Sequence, residues 1–317
     1  MNVRPKSARA RALLVLLSSI PLANLAPPVL AQRELGGDGA KPASAPAAPG
    51  PRPRKQVERL TAWPAPANKD ALLVDVEKLC KSRTPEMGVQ ARDSLQASGA
   101  TAVPFLLERL GKEKDENAVK RLKEVLTAVT TAEQTRLLAK EFESRFDATR
   151  VYVLWRAAAF PDPGIRPAAE AAWKRIGKLG AKADAEERYA AALCAASSGS
   201  TVGLDVLEET ALKSWDRRGV ELRAALEGIR GPDATGVVLS MLKDADQKKK
   251  VGVLRLLAGC GDKTALSAVK PFLDDDDNQL RVSAINACRG IVENAPPLEQ
   301  LPVFEAIETA KKWKEKI

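Results

Sequence analysis

Histidine is absent from the chain. Without an imidazole, Ser-His-Asp and Cys-His catalysis, His-ligated zinc and the commonest general base near neutral pH are all removed. Cysteine is scarce too: residues 80, 194, 260 and 288 are the four present, and no two form a C-x-x-C pair. Zinc ribbons and thioredoxin-like redox chemistry therefore have no support. Aromatic residues make up only 4% of the 317 residues. A β-sandwich would want Tyr, Phe and Thr in its strands, so this shortage argues against one.

What remains is an aliphatic chain. Its hydrophobic fraction of 45% is ample for a core, and that core must be built from Ala, Leu and Val. Alanine is the best helix former, and small residues let helices approach closely. The composition predicts an all-α fold.

The first 31 residues read as a secretory signal peptide. A basic start without acids precedes the apolar run Ala12 to Leu17, and Val29-Leu30-Ala31 offers a cleavage site before Gln32. The mature chain is expected to be exported, periplasmic or secreted. Ala12 to Ala31 is nearly long enough to span a bilayer, so an uncleaved signal anchor is the alternative; Pro21, Asn24 and Pro27-Pro28 weaken it. No cysteine stands where a lipoprotein needs one, and no Arg-Arg pair marks twin-arginine export. Four cations of the leader, Arg4, Lys6, Arg9 and Arg11, would be lost with it, so a net charge of +9 falls to about +5. Residues 32–66 follow as a Pro/Ala/Gly-rich linker with a basic end at Arg52, Arg54 and Lys55. Such a segment buries too little surface to fold and is expected to be disordered.

From residue 67 amphipathic helical stretches alternate with Gly, Pro and Asp breaks, and the pattern repeats. Gly231 to Asp244 superimposes on Gly261 to Asp274, with Leu239 on Val269 and Leu242 on Phe272. An earlier copy starts at Gly99, with Leu107 and Leu110 in the same slots. Each is followed by a second helix with a one-sided apolar stripe. The stripes are Ile165, Ala168, Ala169, Ala172 and Ile176; Val251, Leu254 and Leu257; and Leu280, Ala284, Ala287 and Ile291.

These residues resemble the HEAT-repeat family in its short bacterial form, on Ile165-Arg166 to Gly177, Leu280-Arg281 to Gly290 and the Gly261-Asp262 opening. The resemblance covers most of 67–295 but is loose at 130–160 and 180–215. It implies an α-solenoid of the ARM/HEAT type over 67–317, about six to seven stacked pairs, each needing its neighbours to complete a core. The last helix, about 298–317, would cap it, with Leu301, Phe304, Ile307 and Trp313 inward. The resemblance also implies that Asp162 with Arg166, and Asp277 with Arg281, brace neighbouring repeats.

Several constellations were weighed for chemistry. Asp274, Asp276 and Asn278 open like a calcium loop, but Gln279 and Ile285 stand where Gly and Glu are required. A turn in which Asp277 N-caps the next helix fits better, and no metal is expected. Ser267 and Lys270 match S-x-x-K without the companion motifs of an acyl-enzyme. Lys123, Lys174, Lys249, Arg255 and Arg289 fall on outer positions of what read as second helices, which in the family line the concave surface. Trp173 lies beside a stripe and could anchor a partner. Cys260 and Cys288 end successive helices, yet stacked helices hold backbones 8–10 Å apart, beyond disulfide reach, so buried thiols are expected.

The reading is thus a non-catalytic exported scaffold, without cofactor, binding a protein or peptide partner, acidic if the basic positions converge. The alternative is an anionic polymer or membrane surface held by Lys/Arg-rich faces. An export signal and no catalytic cluster argue against a nucleic-acid repair role, and no residue supports a chromophore lyase. No transmembrane span is expected in the mature chain.

Overall fold

A computed structural model describes residues 57–82, 84–298 and 300–317. The leader at 1–31 and the linker up to residue 56 lie outside the described residues. Among those described, the fold is entirely helical. The helices are α1 (Lys69–Lys81), α2 (Pro85–Ser98), α3 (Val103–Lys112), α4 (Glu116–Val129), α5 (Thr135–Ala139), α6 (Asp147–Ala158), α7 (Arg166–Leu179) and α8 (Ala185–Ser197). They continue as α9 (Leu204–Lys213), α10 (Trp215–Leu226), α11 (Pro232–Asp244), α12 (Gln247–Cys260), α13 (Leu266–Val269), α14 (Asn278–Glu293) and α15 (Val303–Lys316). No described helix is long and apolar enough to cross a membrane.

Local chemistry sets many of the starts. Asn68, Thr84, Asp115, Asp184, Asp246 and Asp277 each accept a hydrogen bond from a main-chain N–H in the first turn of the helix that follows. Each satisfies one of the donors that a helix leaves orphaned at its N-terminus. The cap expected at Asp277 is formed, at 2.7 Å to Gln279 N.

Packing arranges the even-numbered helices as a rank. α6 lies along α8, α12 lies along α14, and α10 stands between α8 and α12. The closest approach needs glycine: a Cβ on Gly290 of α14 would stand 2.1 Å from the Ala258 carbonyl oxygen of α12. Alanines fill the rest of these contacts, as the composition required.

One register differs from the sequence reading. The stripe Ile165 to Ile176 builds α7, which packs against α8 and is the first helix of its pair, not the second. The cause is α8, whose residues from Tyr189 to Ser198 are all buried. A helix apolar on every side shows no one-sided stripe. Its signal vanished and the pairing slipped by one helix.

Three further expectations are corrected. Residues 57–66, assigned to the linker, are held on the fold: Leu60 N–H donates to Glu133 O at 2.8 Å, Arg59 pairs with Asp162 at 3.3 Å, and Trp63 packs on the core. The segment was too rich in Pro and Ala to read as anything but tether. Phe304, expected inward on the last helix, is 74% exposed, because Ala306, Ala310 and Trp313 form the buried face of α15. Asp162 and Arg166 do not pair either. Asp162 is buried against Arg136 at 3.1 Å and caps Gly164, while exposed Arg166 reaches Glu170 one turn on.

Arg281 likewise ignores Asp277. Its guanidinium donates to Asn278 Oδ1 and to Asp275 O, since Asp277 is spent as the cap. All four cysteines are buried and free.

The face assignment of α7 gives a direct test. Ala172 is fully buried at 0% exposure, and Lys174, two residues on, is exposed. Ala172→Asp should cost several kcal/mol by burying an unpaired carboxylate, whereas Lys174→Asp should stay within about 0.5 kcal/mol. Equal losses in thermal melts would refute the assignment.

Candidate functional site

Four of the thirteen aromatic residues stand on the even-numbered helices. Both tyrosines of the chain, Tyr152 and Tyr189, stand there, with Trp155 and Trp215. Tyr152 and Trp155, one turn apart on α6, place their ring centroids 6.5 Å from each other. The Trp155 indole N–H donates to Glu221 Oε2 at 3.3 Å, and the Tyr189 hydroxyl donates to Glu221 Oε1 at 2.7 Å. One carboxylate of α10 thus ties α6 to α8. Arg218, one turn earlier on α10, covers the Tyr189 ring at 4.1 Å and reaches both oxygens of Glu186 at 2.9 Å. Burial, reinforced by Glu221, raises the Tyr189 phenol, which therefore serves as a donor and not as a base.

Lys123 on α4 flanks this row. It is half-buried, and burial lowers its ammonium pKa while the attraction of Glu186 opposes that change. At the other flank Arg255 of α12 stacks over Trp215 at 5.1 Å and donates to the Ala211 carbonyl oxygen at 2.6 Å. Outside the row, on the solvent side of α10, Val220 is 82% exposed. The whole constellation crosses α4, α6, α8, α10 and α12 as a continuous band of rings and charges.

The basic positions singled out in the sequence do not converge as expected. Lys123, Lys249, Arg255 and Arg289 are on even-numbered helices, but exposed Lys174 lies on α7 in the other set. Arg255 is committed to the end of α9. Arg289 leans on the Pro296 carbonyl at 3.3 and 3.4 Å, helping to hold the segment that leads to α15. Trp173 is half-buried and packs beside the start of α9, where a Cβ on Gly203 would meet its ring at 3.1 Å. Neither Tyr189 nor Arg218 nor Glu221 was picked out from the sequence. Aromatic residues at one level of successive helices, each near a charge, were the available signal.

Behind the band lies a buried charge knot. Glu187 accepts from Arg150 at 2.6 Å and from Arg175 at 2.6 Å, joining α6, α7 and α8. Burial alone would raise its carboxyl, but the two guanidinium hydrogen bonds outweigh it and hold the pKa below the ordinary value. The thiols are no nucleophiles. Burial raises all four, Cys260 and Cys288 to about 12. Ser267 is exposed and Lys270 is engaged by the Ile317 carbonyl oxygen at 2.8 Å.

No family model, no curated protein and no solved structure matches the chain.

Two measurements test the roles given to these charges. Glu187→Gln should cost about 3–5 kcal/mol at neutral pH by leaving two guanidiniums short of their partner. Because the folded carboxyl is the more acidic, its contribution is complete above the unfolded value near 4.3 and is lost as pH falls below it. The wild-type melting temperature should therefore drop more steeply below about pH 5 than the variant's. Arg255→Ala should cost about 1.5–3 kcal/mol as a lost charge-assisted bond. A variant that melts like the wild type would return Arg255 to the surface as a free contact residue.

Proposed function

We propose that the chain is an exported, non-catalytic interaction scaffold, an α-solenoid of HEAT-like repeats that binds a protein or peptide partner through the band across α4 to α12. One observation carries this reading: Trp155 of α6 and Tyr189 of α8 share the Glu221 carboxylate of α10, and Arg218 covers the Tyr189 ring while held by Glu186. Trp155 and Trp215 are half-buried with fixed orientations and lose little freedom on contact, which suits them as anchors; Tyr152 and Tyr189 are buried and hold them in place. Helix packing in ranks supports the solenoid reading, and the 30-residue periodicity at 231 and 261 supports the repeat family.

The partner reading shifts slightly. Arg255 and Arg289 are engaged with main-chain carbonyls and Lys174 stands elsewhere, so an acidic partner would meet chiefly half-buried Lys123 and exposed Lys249. An anionic polymer held by Lys/Arg-rich faces has correspondingly less behind it. Charge is a minor part of this surface.

Photo-crosslinking locates the face. A benzophenone side chain at Val220, on α10, should capture a discrete partner from an envelope extract; one at Val237, on α11 and also exposed, should not. Val220→Asp should weaken binding of the captured partner about tenfold or more while changing stability by less than about 0.5 kcal/mol. Equal adducts at both positions, or none at Val220, would discard this face.

A further inference from the structure

Among the described residues, one of the buried polar atoms left without a partner belongs to a carboxylate. α9 carries Leu204, Leu207 and Ala211 into the core, and Glu208 enters with them. Glu208 is 9% exposed, and its Oε1 has no hydrogen-bond partner among the described residues. A buried carboxylate oxygen without a donor is costly, and such groups ordinarily find one. Here α12 also comes so close that a Cβ on Gly252 would stand 2.7 Å from that oxygen.

Glu208 forms one wall of a cavity of about 170 Å³. Met241, Asp244 and Ala245 line it from the end of α11, and Lys249 and Val253 line it from α12. The volume matches about five or six liquid water molecules. Its floor is apolar at Met241 and Val253, and its rim carries exposed Asp244 and Lys249.

The charges around Glu208 are mostly negative. Burial raises its carboxyl; Lys249 opposes this, while Glu209, Asp246 and Asp205 add to it. With Asp244 on the rim, acids from α9, α11 and the α11–α12 turn face one cation from α12. Lys249 itself makes no ion pair among the described residues. A narrow, apolar-floored cavity with a carboxylate short of a donor selects a small cation carrying an aliphatic stem.

We propose that this cavity binds an alkylammonium group, with the ammonium donating to the Glu208 carboxylate and the stem lying along Met241 and Val253. The group comes either from a lysine side chain of a partner or from a free alkyl diamine. This site lies between α9, the end of α11 and α12 and does not depend on the reading of the band across α4 to α12.

Methionine methyl NMR on the full chain reads the site directly. The chain has methionines at 1, 87 and 241, so Met241 reports the cavity and Met87 on α2 serves as the internal control. The probes are N-acetyl-lysine methylamide, 1,4-diaminobutane and the uncharged N-acetyl-norleucine methylamide. Both amines should shift Met241 with a dissociation constant on the order of 1 mM, and norleucine should not. Tighter binding of the lysine derivative assigns a partner's side chain; tighter binding of the diamine assigns a free ligand.

Glu208→Gln keeps the shape of the side chain and should weaken binding about tenfold or more. Its ligand-free Met241 resonance reports whether the cavity is intact. Asp244→Asn, at the exposed rim, should weaken binding less and guards against a folding defect at position 208. Lys249→Met should strengthen it by removing the competing cation. Affinity should fall as pH drops through the titration of Glu208, because a protonated carboxyl no longer attracts the ammonium. A Met241 signal unmoved by either amine, or moved equally in the Glu208→Gln variant, would overturn the proposal. So would weaker binding after Lys249→Met.

Discussion

Every helix ends with carbonyl oxygens that have no partner inside it, and in a stack of helices many of those ends are covered by neighbours. This fold answers that constraint with arginines from other helices. Arg121 of α4 donates to Leu79 O and Cys80 O at the end of α1, at 2.8 and 2.7 Å. Arg156 of α6 reaches Thr127 O and Thr130 O at the end of α4. Arg255 of α12 closes α9 at Ala211, and Arg230 reaches Gly290 O near the end of α14. A guanidinium suits the task because its planar fork offers several donors at once, and its charge also meets the negative end of the helix dipole.

The clamps explain why the fold tolerates so few large side chains. Alanines bring neighbouring helices close, and close helices leave their ends within reach of a single arginine from the next one. Gly290 beside Ala258 and Gly252 beside Glu208 mark where even an alanine would not fit. The same closeness confines polar side chains that enter the core. Glu187 entered with two guanidiniums and is satisfied; Glu208 entered with none.

Much of the fold was legible in the sequence where polar or glycine positions interrupt the apolar ones at helical spacing, as on α12 and α14, which are otherwise largely buried. The stripes of α12 and α14, the 30-residue repeat that precedes them and the cap at Asp277 all follow from local pattern. Legibility failed at α8, which is buried all round, and at the Arg59–Trp63 strap, whose composition resembles a tether. The charged residues were harder still. Pattern places an arginine on an outer position, but only packing shows that a carbonyl of the neighbouring helix lies within its reach. Hence Arg255 read as a contact residue, and the pairs at Asp162 and Asp277 were matched with the wrong partners. Glu208 had a signal that went unused. It occupies the i+4 place of the stripe Leu204, Leu207, Glu208, Ala211, where an acid breaks an otherwise apolar series.

A basic excess in the sequence is therefore a poor guide to what this chain attracts. Arginines that close helix ends keep their charge, but their donors are spent on carbonyls and their freedom is gone, so they contribute little directed attraction to a ligand. Charge that can still form a contact belongs to groups without a partner. Among the described residues one such buried group is a carboxylate, Glu208, and Lys249 is the positive charge lining the same cavity. Net charge counts both kinds alike. Recognition depends on the second kind, and at the Glu208 cavity its sign is negative although the chain as a whole is basic.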